Sequence, residues 1–347
     1  MKYSIGYQLL DEHDSVLEIC RDYEKSISGV YFSWADEKSG RLPLCSSHGE
    51  ELELVKQTQL QELKEIKEMG KRLTLLFNAN CYGEEAVSQA FCDRMLSVCD
   101  FLKRQLNLDS VTTTSPFLAE MIKTHFEGDI QVMASVNMRI STIKAMEQLS
   151  SCFDGFYMAK ECNRDFEKLS KLHTWCKEHG KKLAMLANSG CMPYCGFQTF
   201  HDNMVAHQSV EDIYASDWKG LPSPCHRYLR SMDTLDGLAY FLQGTWVRPE
   251  DIPAYEPYFE EVKIATRMHA RMRMVVSAYA RGRYMGNLLD LTEPSFSHDF
   301  KGYVLDGTRL PEDFFERVTA CKKECHDCGY CKKVVKNICV KYLYGNL

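Results

Sequence analysis

The feature that most constrains how this 347-residue chain can fold is a repeated alternation of short apolar runs with longer amphipathic ones, from residue 1 to about residue 250. Strand-length apolar runs separated by stretches of helical periodicity are the pattern of successive βα units around a parallel sheet. Strands are expected at 3–9, 29–34, 72–80, 110–115, 130–137, 155–160, 182–188 and 244–247. Helices are expected at 51–69, 85–106, 116–126, 142–153, 165–179 and 234–243, with further helical runs at 252–268 and 272–280. Leu60, Leu63, Ile66 and Met69 recur at the spacing of one buried helix face, and Gly70 stops that helix. Eight strands, each followed by a helical connection, fit an α/β fold of the closed (β/α)8, TIM-like type. The turn Leu9-Leu10-Asp11-Glu12-His13-Asp14 lacks the glycine fingerprint that a doubly wound dinucleotide fold carries after its first strand. The barrel is expected over 1–300 and a short Cys-rich, metal-binding tail over 311–347.

The net charge of −6 argues against the whole chain being a nucleic-acid binder, and no stretch reaches the length of a membrane span. The N-terminus lacks the pattern of a signal peptide, so a cytoplasmic location without membrane contact is expected. Against that background sixteen cysteines are an anomaly, because a reducing compartment excludes a disulfide framework. Cys20, Cys92, Cys99, Cys152 and Cys176 sit in apolar or amphipathic runs and read as core residues.

The remaining cysteines are patterned. In barrel enzymes the chemistry lies at the C-terminal ends of the strands. Those ends bring Asn78, Ser115, Asn137, Arg139, Lys160, Asn188 and Arg248 toward one rim, suited to a polar ligand. Immediately after the seventh strand comes Asn188-Ser189-Gly190-Cys191-Met192-Pro193-Tyr194-Cys195, then Phe200-His201-Asp202-Asn203. Two thiols either side of a proline turn that follows Gly190 can point into one site, and soft thiolates suit an iron–sulfur cluster or zinc. Cys225, in a proline-stiffened turn, is a third candidate ligand. The fourth is taken from Cys45 and Cys162, with Cys45 preferred for its loop setting. No His-Glu-x-x-His motif is present, and a 4Fe–4S cluster is favoured over zinc at this rim. His201 stands out among the histidines because it shares a turn with the thiols and with Asp202, which could orient its ring.

The tail carries a second set, Cys321, Cys325, Cys328 and Cys331, at spacings shared by ferredoxin-type clusters and four-thiolate zinc sites. A second 4Fe–4S cluster or zinc is expected there.

These motifs together resemble the collagenase-like peptidase family, peptidase family U-32. The resemblance rests on the Asn-Ser-Gly-Cys-x-x-x-Cys element, the Phe-His-Asp-Asn that follows, Cys225, and Trp246-Val247-Arg248-Pro249-Glu250-Asp251, in that order over about residues 1–290. Where larger peptidase-like members carry paired Gly and Cys on the sixth strand, this chain reads Met158-Ala159-Lys160-Glu161-Cys162. The resemblance implies a barrel with a four-cysteine 4Fe–4S cluster, of the branch related to oxygen-independent hydroxylases. Three functions follow as expectations. The first is redox or oxygen-atom-transfer chemistry on a polar small molecule, quinone precursor, RNA or peptide, with His201, Asn188, Arg248 and Lys160 as candidate catalytic residues. The others are a U-32-type peptidase, lacking any recognisable nucleophile–base spacing, and an iron–sulfur partner subunit. The first would draw on an electron donor or a partner.

Overall fold

The computed structural model describes residues 1–10, 14–35, 37–41, 44, 49–207 and 224–342. Eight strands make its centre: β1 Lys2–Gly6, β2 Ile27–Phe32, β3 Arg72–Phe77, β4 Ser110–Thr113, β5 Gln131–Ala134, β6 Gly155–Tyr157, β7 Lys182–Ala184 and β8 Glu261–Lys263. They run parallel in the order β7-β6-β5-β4-β3-β2-β1-β8. The two ends of this sheet then meet. Leu186, just past β7, bridges Lys263 in parallel; the Lys263 N–H donates to Met185 O (3.0 Å) and the Ala187 N–H to Lys263 O (2.9 Å). The result is the expected (β/α)8, TIM-like barrel.

The connecting helices follow local chemistry. Helix α1 is Val16–Asp22, α2 Glu50–Glu68, α3 Gln89–Leu106, α4 Pro116–Phe126, α5 Ile143–Leu149 and α6 Phe166–Glu178. Ser15, Ser88, Ser115, Thr142 and Asp165 cap α1, α3, α4, α5 and α6, each side-chain oxygen accepting a first-turn N–H. On α2, Leu63 and Ile66 are fully buried and Leu60 and Met69 pack partly against the core, as their spacing predicts. Cys20, Cys92, Cys99 and Cys176 are buried core residues, and Cys152 is partly buried against the core.

Two expectations are corrected. The eighth strand is Glu261–Lys263, not 244–247. That earlier segment gives one N–H, from Val247, to Ala187 O (2.8 Å), and Trp246 folds back onto Phe241 of its own preceding helix. The run 252–268 is not a helix, because Pro253 and Pro257 lack the N–H that a helix interior needs. It forms the 3₁₀ turn Pro249–Tyr255 and then enters β8.

The Cys-rich segment packs on the barrel. Its helix Tyr330–Ile338 buries Val334, Val335 and Ile338 and lies on the helix Thr234–Leu242, where Lys332 meets Asp236 (2.5 Å). Its last strand, Cys339–Lys341, pairs antiparallel with Tyr303–Leu305, and Phe315 meets the rings of Phe166 and Tyr255.

Candidate functional site

The chain leaving β7 is pinned before it reaches the first candidate thiol. The Asn188 amide donates to Ala265 O (2.9 Å) and Leu291 O (3.1 Å), and its oxygen accepts from Ala265 N (2.6 Å). Glu293 N–H then donates to Asn188 O and Gly190 N–H to Glu293 O. A side chain at Gly190 would put its Cβ 2.3 Å from Pro294 O and 2.8 Å from Thr292 Oγ1, so only glycine allows this approach. Cys191 therefore emerges at a set place beyond the barrel mouth. Cys195 follows the left-handed Tyr194, whose N–H reaches Glu161 Oε1 (3.4 Å), and its carbonyl accepts from Gln198 at the start of the helix Gln198–His207. Cys225 sits at the start of the helix Pro224–Arg230.

All three thiols line one cavity of about 590 Å³, with His201, His226 and Met268 also in its wall. Burial alone would push the Cys191 thiol up, but Lys160 and Arg41 outweigh it and hold the thiol below its ordinary range. Burial pushes Cys225 up to about 12, with a further push from Cys191 and Cys195. Cys195 is likewise raised by burial and by Cys191. The three are thus near enough for one charge to oppose the next. That is a soft, thiol-rich donor set with one thiolate stabilised by cations, and it fits an iron–sulfur group in kind. Among the described residues, no three His, Cys, Asp or Glu side chains converge tightly enough to grip a single metal ion as they stand. A cubane makes a looser demand, because each thiolate binds a different iron.

The other expected site residues fall into two groups. Lys160, Asn78 and Asn137 line a smaller space of about 70 Å³ at the barrel mouth, together with Cys191. His201 lines the larger cavity, and burial holds its imidazole below the ordinary range. Asp202 does not orient that ring through a hydrogen bond; its carboxylate accepts from Asn80 Nδ2 (3.2 Å). Three residues turn out to hold the scaffold. Asn188 is fully buried with its amide spent on backbone groups. Ser115 caps α4. Arg248 does not reach either cavity: it grips Asp251 through two bonds (2.7 and 2.6 Å) and lies over the Phe314 ring. Cys162 is a core residue whose thiol burial raises to about 11. Cys45 lies outside the described residues.

In the tail, burial and the other three thiols raise Cys331 to about 11, with an opposing pull from Arg164. Cys325 is raised by burial and by Cys321 and Cys328. Lys323 N–H donates to Cys321 Sγ (3.3 Å). The four cysteines of the spacing motif therefore share one electrostatic neighbourhood.

Sequence reasoning missed several groups on the cavity walls. His226 Nδ1 pairs with the buried Asp299 carboxylate (2.5 Å), and His269 Nε2 bonds Asp290 O (2.8 Å). Lys263, Arg267 and Glu293 enter from β8 and the loops beyond it, and Arg41 from the loop after β2. A basic residue inside the apolar run Val262-Lys263-Ile264-Ala265-Thr266-Arg267 was the available signal.

Fold and site together define a (β/α)8 barrel with a thiol-lined cavity at its mouth. No family model matches the chain, and no curated protein matches it. Among solved structures it is similar to the U32 peptidase Mk0906, with a TM-score of 0.53 and 18% identity over 76% of this chain and 92% of that one. It is more distantly similar to a chitinase from Rhizomucor miehei, with a TM-score of 0.42 and 11% identity over 82% of this chain and 100% of that one. The first likeness shows that the chain shares the barrel fold of a U32 peptidase, as its ordered motifs lead one to expect.

Proposed function

We propose that this chain is an iron–sulfur barrel enzyme acting on a polar substrate by redox or oxygen-atom-transfer chemistry. Cys191, Cys195 and Cys225 would hold a 4Fe–4S cluster, with Cys45 as the fourth ligand expected from sequence. The observation that carries this reading is the meeting of three thiols from two separate segments on one cavity at the barrel mouth, with Lys160 and Arg41 favouring the Cys191 thiolate. Bound there, the cluster would supply a one-electron store beside the substrate. The chain itself supplies the cationic groups that hold the thiolate, the partly buried His201 and the His226–Asp299 pair as proton-handling groups, and largely apolar walls.

Cys321, Cys325, Cys328 and Cys331 would hold a second cluster or zinc. The helix Thr234–Leu242 packs both on the helix that carries Cys225 and on the helix that carries Cys331. Burial first, then Tyr228 and the thiols Cys195 and Cys325, raises the Tyr240 phenol on this helix, so one side chain senses both sets. This supports a route by which an electron donor or partner subunit reaches the barrel mouth through the tail.

One observation favours a hydrolase as second reading: Asp299 orients His226 on the cavity wall. The neighbouring Cys225, raised to about 12, is a poor nucleophile for it.

Iron content and visible absorbance of anaerobically prepared Cys191→Ala and Cys176→Ala test the main reading. Cys191→Ala is expected to lose the barrel cluster, whereas Cys176→Ala, a core change, keeps it. Equal iron and equal absorbance in the two variants remove the cluster from this site and the redox reading with it.

A further inference from the structure

We infer that the floor of the mouth cavity is an oxyanion site, formed by Lys263 and Arg267, that takes the terminal carboxylate or phosphate of a small-molecule substrate. The inference deepens the reading above, since it assumes that this cavity receives the substrate.

Among the described residues four cations face the small space at the barrel mouth: Arg41, Lys160, Lys263 and Arg267. Three of them, Lys160, Lys263 and Arg267, are more than nine-tenths buried. Two carboxylates share that wall, and both are engaged. Asp202 accepts from Asn80, and Glu293 accepts from Arg41 Nε (3.4 Å) through one oxygen and from Met268 N–H (3.1 Å) through the other. The described residues of the site therefore carry an excess of positive charge, most of it buried. Burying a cation without a partner costs several kcal/mol, so such an excess implies a counter-charge that binds there.

The thiol site accounts for only half of the excess. Lys160 and Arg41 are the cations that act most strongly on Cys191. Lys263 and Arg267 are not among the main influences on it, and they are also the least satisfied. Arg267 Nη1 has no hydrogen-bond partner, although it is fully buried. Among the described residues Lys263 Nζ makes no hydrogen bond or ion pair; it lies over the ring of Tyr31 (3.7 Å to the centroid) and near that of Tyr157 (5.0 Å). Burial first, then the neighbouring Arg267, and Arg41 to a lesser degree, depress Lys263 to about 7 against opposing pulls from Glu293 and Glu261. Water in the space could satisfy the orphaned N–H of Arg267 but would leave its charge uncompensated.

Size selects the form of the anion. About 70 Å³ admits a carboxylate or phosphate end and little more. A phosphodiester inside a polymer is excluded, because its chain would have to continue from both sides of the buried group. The small space shares Arg41, Cys191, Gln198, Asp202 and Glu293 with the 590 Å³ cavity. A ligand anchored at Lys263 and Arg267 would thus extend its body past Cys191, where the proposed chemistry lies. Gly6 underlies the arrangement: a Cβ there would meet Arg267 Cβ at 2.7 Å, so the missing side chain lets the Arg267 backbone close over β1.

The test is calorimetric titration of the full-length, iron-loaded protein with inorganic phosphate, with succinate, and with the uncharged succinamide, at constant ionic strength. Saturable binding of phosphate or succinate, none of succinamide, and at least a tenfold loss of anion affinity in Arg267→Gln with iron content unchanged are expected. Lys263→Met gives the same readout should Arg267→Gln fold poorly. Binding of phosphate alone assigns a phosphate-bearing ligand, and binding of succinate alone a carboxylate. Failure of both anions to saturate, or unchanged affinity in the variants, overturns the inference. That failure in a protein whose iron still depends on Cys191 leaves the cluster reading standing, whereas anion binding intact in a protein with no iron at Cys191 removes the cluster reading alone.

Discussion

Gly190 and Pro294 approach so closely that a Cβ on the first would stand 2.3 Å from the carbonyl oxygen of the second. The contact ties the segment leaving β7 to the loop 291–294, and everything presented at the mouth by Cys191 depends on it. Gly190→Ala is expected to cost about 2–3 kcal/mol through overpacking against backbone that has no room to yield. The melting temperature should fall by several degrees and the iron content should fall with it. An unchanged melting curve would show that the loop can yield after all.

Arg248 belongs to the most family-like stretch of the sequence, yet its guanidinium is spent on Asp251 and on the face of Phe314. Arg248→Ala should therefore lower stability by about 2 kcal/mol, since it leaves a largely buried carboxylate without its partner. Iron content and visible absorbance should be unaffected. Loss of the spectrum in a variant that melts normally would return Arg248 to the site.

The depressed Lys263 gives a pH dependence of defined sign. Its folded value of about 7 lies below that of an unfolded lysine, so the unfolded chain holds the proton more tightly. Protonation then favours unfolding: the penalty is complete below about pH 7 and shrinks as the pH rises toward the ordinary lysine range. Arg267, Arg41, Glu293 and Glu261 are the charges that set this balance, with Tyr31 and Tyr157 as the neighbouring rings. Lys263→Met should raise the melting temperature by a few degrees at pH 6, and the gain should be smaller at pH 9. A gain that grows with pH would contradict the assignment.

For the tail, Cys328→Ser in the full-length protein should remove the metal held by the second thiol set while leaving the barrel iron in place. Iron, zinc and sulfide measured against protein concentration distinguish the two. Metal content equal to that of the parent protein would mean that the four tail thiols bind none.

Seven of the eight strands were legible because each lies within a short apolar or β-branched run that alternates with a longer amphipathic one. The eighth was not. Glu261-Val262-Lys263 offers one apolar residue between two charges, and it is a strand because the open edges of β1 and β7 both need a partner there. The aromatic, β-branched stretch 244–247 has the better local propensity but lies where Trp246 packs against Phe241 instead. The thiols were readable from spacing because Cys191 and Cys195 lie within one turn of chain. The cationic floor was not, since Lys263 and Arg267 join Lys160 and Arg41 only once the barrel closes. Asn188 and Arg248 show the converse error: polarity at a strand end is also what a clamp requires.

The closure of the barrel has one further consequence. Lys263 seals the ring of strands with its main-chain N–H and C=O, while its side chain alone faces the mouth. The two roles draw on different atoms of one residue. The chemistry offered at the floor can therefore be rewritten by substitution at this position, from cationic to neutral or acidic, while the hydrogen bonds that complete the architecture stay the same.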